Sequence, residues 1–123
     1  MPEYLSPAWF TEADVLLRGS ERLAELSRGM HFQLEQRVGE GDSTVVWHVR
    51  FSDGSVSITP GPADAPDVIF VSDAATAEGI RSGALSAQAA FIAGDLRVEG
   101  SIGALLEHGD LFAVIEDALG PLR

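Results

Sequence analysis

Three histidines are the side chains of this sequence whose protonation changes nearest to neutral pH. His31, His48 and His108 lie far apart in the chain, and none belongs to a motif with the spacing of metal ligands. His31 and His48 fall on the polar side of alternating segments, and His108 falls in a break between two helical segments. The pattern predicts solvated surface histidines and no metal site.

The acidic and hydroxyl side chains do not form a catalytic motif. Glu116-Asp117 is typical of a solvated helix face, and Glu40-Gly41-Asp42 is typical of a turn. No Gly-x-Ser-x-Gly motif exposes a serine nucleophile. Gly100-Ser101-Ile102-Gly103 matches the Gly-x-x-Gly pattern of some RNA-binding loops, but no lysine flanks it, and the start of a helix explains it better. We therefore expect no catalytic residue and no cofactor.

Three residue types are missing from the 123 residues: cysteine, lysine and asparagine. Without them the chain cannot use disulfides, thiolate catalysis, cysteine-ligated zinc, lysine Schiff bases or N-glycosylation. Eight basic side chains against 19 acidic ones give a formal net charge of -11 at pH 7, which repels nucleic acid and anionic membranes. Nucleic acid is therefore not an expected partner.

Length and hydropathy indicate one domain over residues 1–123. Hydrophobic residues make up 46% of the sequence, but no apolar run is long enough to span a bilayer. The opening Met1-Pro2-Glu3-Tyr4 has neither the basic stretch nor the apolar core of a signal peptide. We expect a cytoplasmic domain without stable membrane insertion.

An amphipathic helix is predicted near the start of the chain. Thr11 to Asp14 has the pattern of a capping box, and the apolar side chains that follow recur at helical spacing up to Leu26. Gly29 then ends the segment. Ser20 lies near the middle of the apolar stripe, where a small residue either leaves room for a ligand or marks a break between two shorter helices.

Alternation with a period of two predicts the strands. Three alternating segments separated by tight turns indicate an antiparallel meander, at residues 31–38, 45–51 and 56–59. The next segments are a strand at 67–71, two helices at 74–81 and 86–92, and a strand at 96–98. A last helical region starts at Ser101. Each strand has one apolar and one polar face, as in a sheet that helices cover on one side. The predicted class is α+β.

Three segments of the second half resemble the sterol carrier protein type two family in order and spacing. They are residues 67–73, 82–91 and 93–103. In the ungapped stretch from Gln88 to Gly103, a short helix, a glycine, a strand and a second glycine follow in register. The opening Tyr4-Leu5-Ser6-Pro7-Ala8-Trp9 also resembles small bacterial members. The chain is identified as a stand-alone bacterial member of the family.

The resemblance implies a five-stranded, mostly antiparallel sheet with helices packed on one face and an apolar tunnel between the layers. Members bind fatty acyl chains, sterols and other apolar molecules, and their last helix covers one end of the tunnel. The segment from Leu111 to Leu119 fits such a lid, and a plain core helix explains it equally well. Ala93 stands where many eukaryotic members carry a tunnel-lining glutamine, which implies a more purely apolar tunnel. The final Gly120-Pro121-Leu122-Arg123 is not a peroxisomal signal.

The expected function is non-enzymatic binding or transfer of one fatty acid, sterol or other lipid. Two alternatives stay open: a small enzyme of isomerase or cyclase type that acts on a hydrophobic metabolite in the same cavity, and a dimerisation or accessory module, such as a homodimer, in which the apolar last helix meets a partner chain. The residues expected to line the ligand are Leu16, Leu17, Ser20, Trp47, Phe70, Phe91, Ala93, Ile102, Leu105, Leu106, Phe112 and Ile115.

The distribution of arginine restricts the class of ligand. The eight arginines are spread from Arg18 to Arg123 without a cluster, so no site for the phosphates of an acyl coenzyme A is predicted. Neutral ligands or ligands with a single carboxylate are expected instead.

Overall fold

Helices and strands follow one another along the chain in the order that the hydrophobic pattern predicts. The computed structural model describes residues 3–82 and 84–122, and the surroundings of the side chains at 87, 88, 105, 109, 110, 112, 113 and 116 are outside that description. The strands are β1 (His31–Val38), β2 (Val45–Ser52), β3 (Ser55–Pro60), β4 (Val68–Ser72) and β5 (Leu96–Gly100). The helices are α1 (Pro7–Arg18), α2 (Glu21–Leu26), α3 (Ala74–Ser82), α4 (Ala87–Ala93), α5 (Ile102–Glu107) and α6 (Gly109–Ala118).

The strands form one sheet in the order β3-β2-β1-β4-β5. The pairs β1–β2, β2–β3 and β4–β5 are antiparallel, and the pair β1–β4 is parallel. The predicted meander therefore forms one part of the sheet, and the last two strands extend it on the other side of β1. The α+β class with a mostly antiparallel five-stranded sheet is confirmed.

The first helix begins earlier than predicted. The Ser6 hydroxyl accepts a hydrogen bond from the Trp9 backbone N–H, and Pro7 occupies the first helical position, where its missing N–H removes no helical hydrogen bond. Thr11 lies inside α1 and donates its hydroxyl to the Pro7 carbonyl, so the predicted capping box at Thr11 is wrong. The side chain of Asp14 instead accepts the Ile58 backbone N–H at 3.0 Å, which ties α1 to the edge strand β3.

The helix ends at Arg18, and a second one starts three residues later. Ser20 is the N-cap of α2, and its hydroxyl accepts the Leu23 backbone N–H at 3.3 Å. Of the two interpretations of Ser20, the structure has the break between two helices, because a serine side chain satisfies a free N–H at a helix start.

The core lies between the apolar face of the sheet, from β3 to β4, and the helices packed on it. Its strand members, all buried, are Phe32, Leu34, Val38, Trp47, Val49, Phe51, Val56, Ile58 and Val68. Burying a side chain of this size stabilises the fold by roughly 1.5–3 kcal/mol. Leu111 of α6 and Leu122 belong to the same core, which supports the core-helix interpretation of the C-terminal segment.

The opposite face of the sheet is not simply solvated. Glu35 of β1 is only 1% exposed, although it alternates with the core residues. The segment 61–67, which links β3 to β4, crosses this face, where the Ala63 backbone N–H donates to Glu35 Oε1 at 2.9 Å and Arg37 Nε donates to Glu35 Oε2 at 2.7 Å. His48 Nδ1 donates to the Gly61 carbonyl oxygen at 2.9 Å. This segment, the crossover, thus runs over a polar surface whose side chains bind its backbone.

The histidines differ from their predicted surface positions in two cases. His31 is exposed, but His48 is half-buried under the crossover. His108 is also half-buried, and its ring meets Phe32 edge-on with 5.2 Å between the centroids. Solvation is the wrong prediction for His48 and His108 because segments distant in the chain cover them.

Glu35→Ala is expected to lower the free energy of unfolding by about 1–3 kcal/mol, since it leaves the partly buried Ala63 N–H without an acceptor. Glu35→Gln keeps an acceptor oxygen at that position and should cost clearly less. Urea denaturation of both variants measures the difference. Equal losses of unfolding free energy in the two variants would mean that Glu35 does not stabilise the fold through its hydrogen bond to the Ala63 N–H.

Candidate functional site

The apolar face of the sheet is covered unevenly. Leu34 and Val49 are buried, whereas Phe70 of β4 and Val98 of β5 are only half-buried, although they belong to the same face. Phe70 and Val98 are direct cross-strand partners, and Gln36 of β1 pairs with Phe70 on its other side. We name Gln36, Phe70 and Val98 the open row. It is a short stretch of the core face that the helices leave partly accessible.

Two short helices beside this row carry exposed apolar side chains. α4 contacts β5, and α5 contacts β4. Phe91 of α4 is 46% exposed, and Ile102 and Leu106 of α5 are 48% and 77% exposed. Exposed apolar side chains of this size on neighbouring elements are typical of a surface that binds an apolar partner.

The residues predicted from the sequence to line a ligand fall into several groups. Leu17 and Trp47 are fully buried core residues, and Leu16, Phe70 and Ile115 are half-buried and pack against that core. Phe91, Ala93, Ile102 and Leu106 are exposed on α4 and α5, and Ser20 caps α2. The side chains of Leu105 and Phe112 lie outside the described part of the structure.

Two residues of the open row are not among those predicted from the sequence. Alternation places Val98 in a strand but gives no sign that it lines a ligand site. Gln36 has a detectable signal, because it is a polar residue at a position of β1 that alternation assigns to the apolar face, two residues after Leu34 and two before Val38.

A cluster of four aromatic rings extends from the N-terminal segment to β2. The ring centroids of Tyr4 and Trp9 are 5.1 Å apart, those of Trp9 and Phe10 are 5.2 Å apart, and those of Phe10 and Trp47 are 6.0 Å apart. The first two pairs are nearly perpendicular, which is a favourable geometry for aromatic rings. Trp47 is the cross-strand partner of Gln36, so the cluster ends beside the open row.

Two charged side chains of α3 lie at the Tyr4 end of this aromatic cluster. The Arg81 guanidinium lies 5.1 Å from the centre of the Tyr4 ring and is paired with the Glu78 carboxylate one turn earlier in α3. Burial raises the pKa of Tyr4 to about 12, while Arg81 opposes the rise and Glu78 adds to it. The hydrogen bond from Arg81 holds the pKa of Glu78 below its usual value.

An apolar groove of about 300 Å³ lies elsewhere, between α1 and the C-terminal turn. Its lining residues are Thr11, Glu12, Val15, Leu16, Pro121 and Leu122. Of the predicted ligand-contacting residues whose side chains are described, Leu16 alone lines this groove.

In the described part of residues 3–82 and 84–122, no three side chains of His, Asp or Glu are grouped so that they could hold a metal ion. No helix in the same ranges has the length and apolar character needed to cross a membrane.

The ionisation of Tyr4 gives a direct test of this cluster, because the chain has a single tyrosine and phenolate absorbance reports on it alone. Absorbance should rise with a pKa of about 12 in the folded protein and of about 10 in concentrated urea. Since folding favours the neutral phenol, its contribution to stability is complete below pH 10 and is lost as the pH rises through 12. Phenolate formation near pH 10, in protein that circular dichroism shows to be folded, would contradict burial of Tyr4.

Comparisons with known proteins agree on the fold. Sterol carrier protein 2 superposes with a TM-score of 0.77 at 21% identity over 94% of this chain and 96% of that one. A conserved hypothetical protein from Thermus thermophilus gives 0.74 at 21% identity over 94% and 87%. The palmitated SCP2L2 protein from Aedes aegypti gives 0.61 at 17% identity over 90% and 95%.

Sequence comparison goes beyond fold. None of the curated proteins matches the chain. The family model of the SCP-2 sterol transfer family, however, matches residues 10–113. Because this match covers most of the sequence, from α1 into α6, the chain belongs to the SCP-2 sterol transfer family.

Proposed function

We propose that this protein is a non-enzymatic carrier that holds one fatty acid, sterol or other lipid against the open row, beneath the helices that follow β4. The observation that carries the proposal is the half-burial of Phe70 and Val98 on a face where their neighbours Leu34, Val68 and Leu96 are buried. Membership of the SCP-2 sterol transfer family supports it. The palmitated protein of the same fold supports an acyl chain as one class of ligand.

The physical driving force is the removal of apolar surface from water. Each square ångström of apolar surface that is covered contributes roughly 25 cal/mol. Phe70 and Val98 on the sheet and Phe91, Ile102 and Leu106 on the helices all retain such surface. A chain-like or ring-like hydrocarbon that covers them gains free energy without any charged contact.

The titratable groups of the sheet argue against the enzyme alternative. Glu35 and His48 lie on the face opposite to the open row, and both are engaged with the crossover from β3 to β4. His31 is exposed at the start of β1, and His108 packs its ring on Phe32. The geometry suits binding better than proton transfer.

The charge distribution favours a neutral or singly charged ligand. Arg81 is paired with Glu78, and Arg97 is paired with Glu99 on the face of β5 opposite to Val98. Phosphate groups of an acyl coenzyme A would therefore meet arginines that already have carboxylate partners, on a chain whose net charge is -11. A hydroxyl or a lone carboxylate meets no such repulsion of comparable size.

Val98→Trp tests the position of the ligand, because the indole would fill the space beside Phe70. We expect wild-type protein to bind one fluorescent fatty acid probe per chain and the variant to lose at least about tenfold in affinity, a change of roughly 1.4 kcal/mol. Val15→Trp, the same substitution at an exposed position on α1, is the matched control and should bind normally. Fluorescence titration measures all three proteins.

Ala93→Trp, at the exposed end of α4, provides a second variant should Val98→Trp fail to fold. Circular dichroism and melting curves establish whether each variant is folded. If both variants fold and bind the probe with full affinity, the ligand does not lie against β5. No saturable signal from wild-type protein with fatty acid, fatty alcohol and sterol probes would refute the carrier function itself.

Ionic strength should separate the ligand classes. Affinity for a fatty alcohol should hardly change between about 0.01 and 1 M salt, since neither the contact nor the ligand is charged. Any weak binding of an acyl coenzyme A should strengthen over this range, because salt screens its repulsion from the acidic protein. Competition titrations at the two extremes measure both effects. Tight acyl coenzyme A binding that weakens with salt would indicate a basic site for phosphate.

A further inference from the structure

We propose that the outer edge of β5 pairs with the same edge of a second copy of this chain, so that two five-stranded sheets join into one. β5 and β3 are the two edge strands of the sheet. Three features favour β5: the direction of its backbone groups, the order of its charges and the apolar side chains next to it. Pairing through this edge requires no bound lipid and is therefore separate from the carrier function.

The hydrogen bonds on either side of β4 show which backbone groups of β5 point outward. The Ser72 carbonyl oxygen accepts an N–H from the end of β1 at 3.0 Å, and the Asp67 carbonyl oxygen accepts the Ser101 N–H at 2.9 Å. Because backbone groups alternate in direction along a strand, Arg97 and Glu99 are the residues of β5 that bond to β4. The N–H and C=O groups that point away from β4 belong to Leu96, Val98 and Gly100.

These outward groups of β5 have no hydrogen-bond partner among the described residues. The other edge of the sheet differs, because the Asp14 carboxylate of α1 accepts the outward Ile58 N–H of β3 at 3.0 Å and Pro60 has no N–H. An unpaired strand edge is a template for another strand, and proteins block it by devices of this kind. The sheet is therefore protected at β3 and open at β5.

The order of residues in β5 favours pairing with itself in one register. When the two-fold axis of an antiparallel pair passes through Val98, Arg97 of each copy lies directly opposite Glu99 of the other. When the axis passes through Arg97 or Glu99 instead, two like charges face each other, which destabilises a pair of strands. The sequence of β5 is thus complementary to a second copy of itself about Val98.

The two charged side chains are available for this exchange of partners. Arg97 is 70% exposed and Glu99 is 47% exposed, and within one chain their closest N–O distance is 3.5 Å. An exposed pair at this distance contributes little to stability, so replacing it with the same pair between copies costs little. The net charge of -11 opposes any self-association, but this long-range repulsion is screened at physiological salt.

Exposed apolar side chains lie on both helices next to this edge. α4 contacts β5, and α5 begins directly after it. Phe91 and Ile92 of α4 and Ile102 and Leu106 of α5 are exposed, and residues 82–94 include no charged residue. A strand added at β5 brings the helices of the second copy toward these side chains. Covering them adds a hydrophobic contribution to the backbone hydrogen bonds between the strands.

Sedimentation velocity over a range of protein concentrations tests the pairing by charge reversal. We expect wild-type protein to dimerise reversibly, and Arg97→Glu and Glu99→Arg should each raise the dimer dissociation constant at least about tenfold, because like charges then face each other. The double variant restores opposite charges and should dimerise as wild type does. Arg50→Glu, at an exposed position on the same face of β2, is the matched control and should leave dimerisation unchanged.

These variants also separate local pairing from general repulsion. Arg97→Glu and Arg50→Glu make the net charge more negative by the same amount, whereas Glu99→Arg makes it less negative. If net charge governed association, Glu99→Arg would strengthen the dimer and Arg50→Glu would weaken it, and this result would overturn the proposal. Circular dichroism establishes that each variant is folded.

A mixed disulfide tests the register. Because the chain has no cysteine, Arg97→Cys and Glu99→Cys, prepared separately, each carry a single thiol. In the proposed register, positions 97 and 99 of the two copies lie directly opposite each other, with about 4.5 Å between their Cα atoms, a distance that a disulfide can span. Mild oxidation should therefore cross-link an equal mixture of the two variants faster than either variant alone.

Three results would refute the pairing of β5. They are a wild-type chain that stays monomeric up to roughly 1 mM, a dimer that neither charge reversal weakens, and equal rates of cross-linking in the mixture and in the single variants. Each of these results leaves lipid binding by one chain untouched, since the titrations with fluorescent probes measure that function independently.

Discussion

The architecture depends on how the helices share the apolar face of a five-stranded sheet. Strand alternation places large apolar side chains on one face of all the strands, and the core beneath α1, α2 and α6 buries most of those on β1, β2 and β3, whereas on β4 and β5 Val68 and Leu96 are buried but Phe70 and Val98 are not fully covered. The Asp14 carboxylate accepts the Ile58 N–H, which fixes α1 over the part of the sheet that contains the edge strand β3. Phe70 and Val98 lie on the other side of β1 and are half-buried.

The polar face of the same sheet determines where the open row forms. Glu35 and His48 hold the crossover between β3 and β4, and the Gln33 N–H binds the Asp67 carboxylate at its end. These contacts deliver β4 parallel to β1, which places Phe70 next to Gln36. A buried carboxylate on one side of the sheet therefore positions the apolar residues on the other side.

Sequence patterns predict the strands, the class and the family, because alternation and helical spacing are local properties. They do not predict the burial of Glu35 or the contact of His108 with Phe32, since both depend on segments distant in the chain. Gln36 can be recognised by its phase within β1. The unpartnered Nε1 of Trp9 cannot be recognised from the sequence, because a sequence does not tell which side chains surround a buried indole.

The central claim is that an apolar ligand lies against β4 and β5, and photo-crosslinking tests it most directly. A fatty acid with a diazirine near its methyl end would be bound, irradiated and located by mass spectrometry of peptides. The account predicts labelling in peptides that contain Phe70, Val98 or Leu106, abolished by competition with unlabelled fatty acid. Competable labelling confined to Thr11–Leu16 and Pro121–Leu122, the groove beside α1, would contradict it.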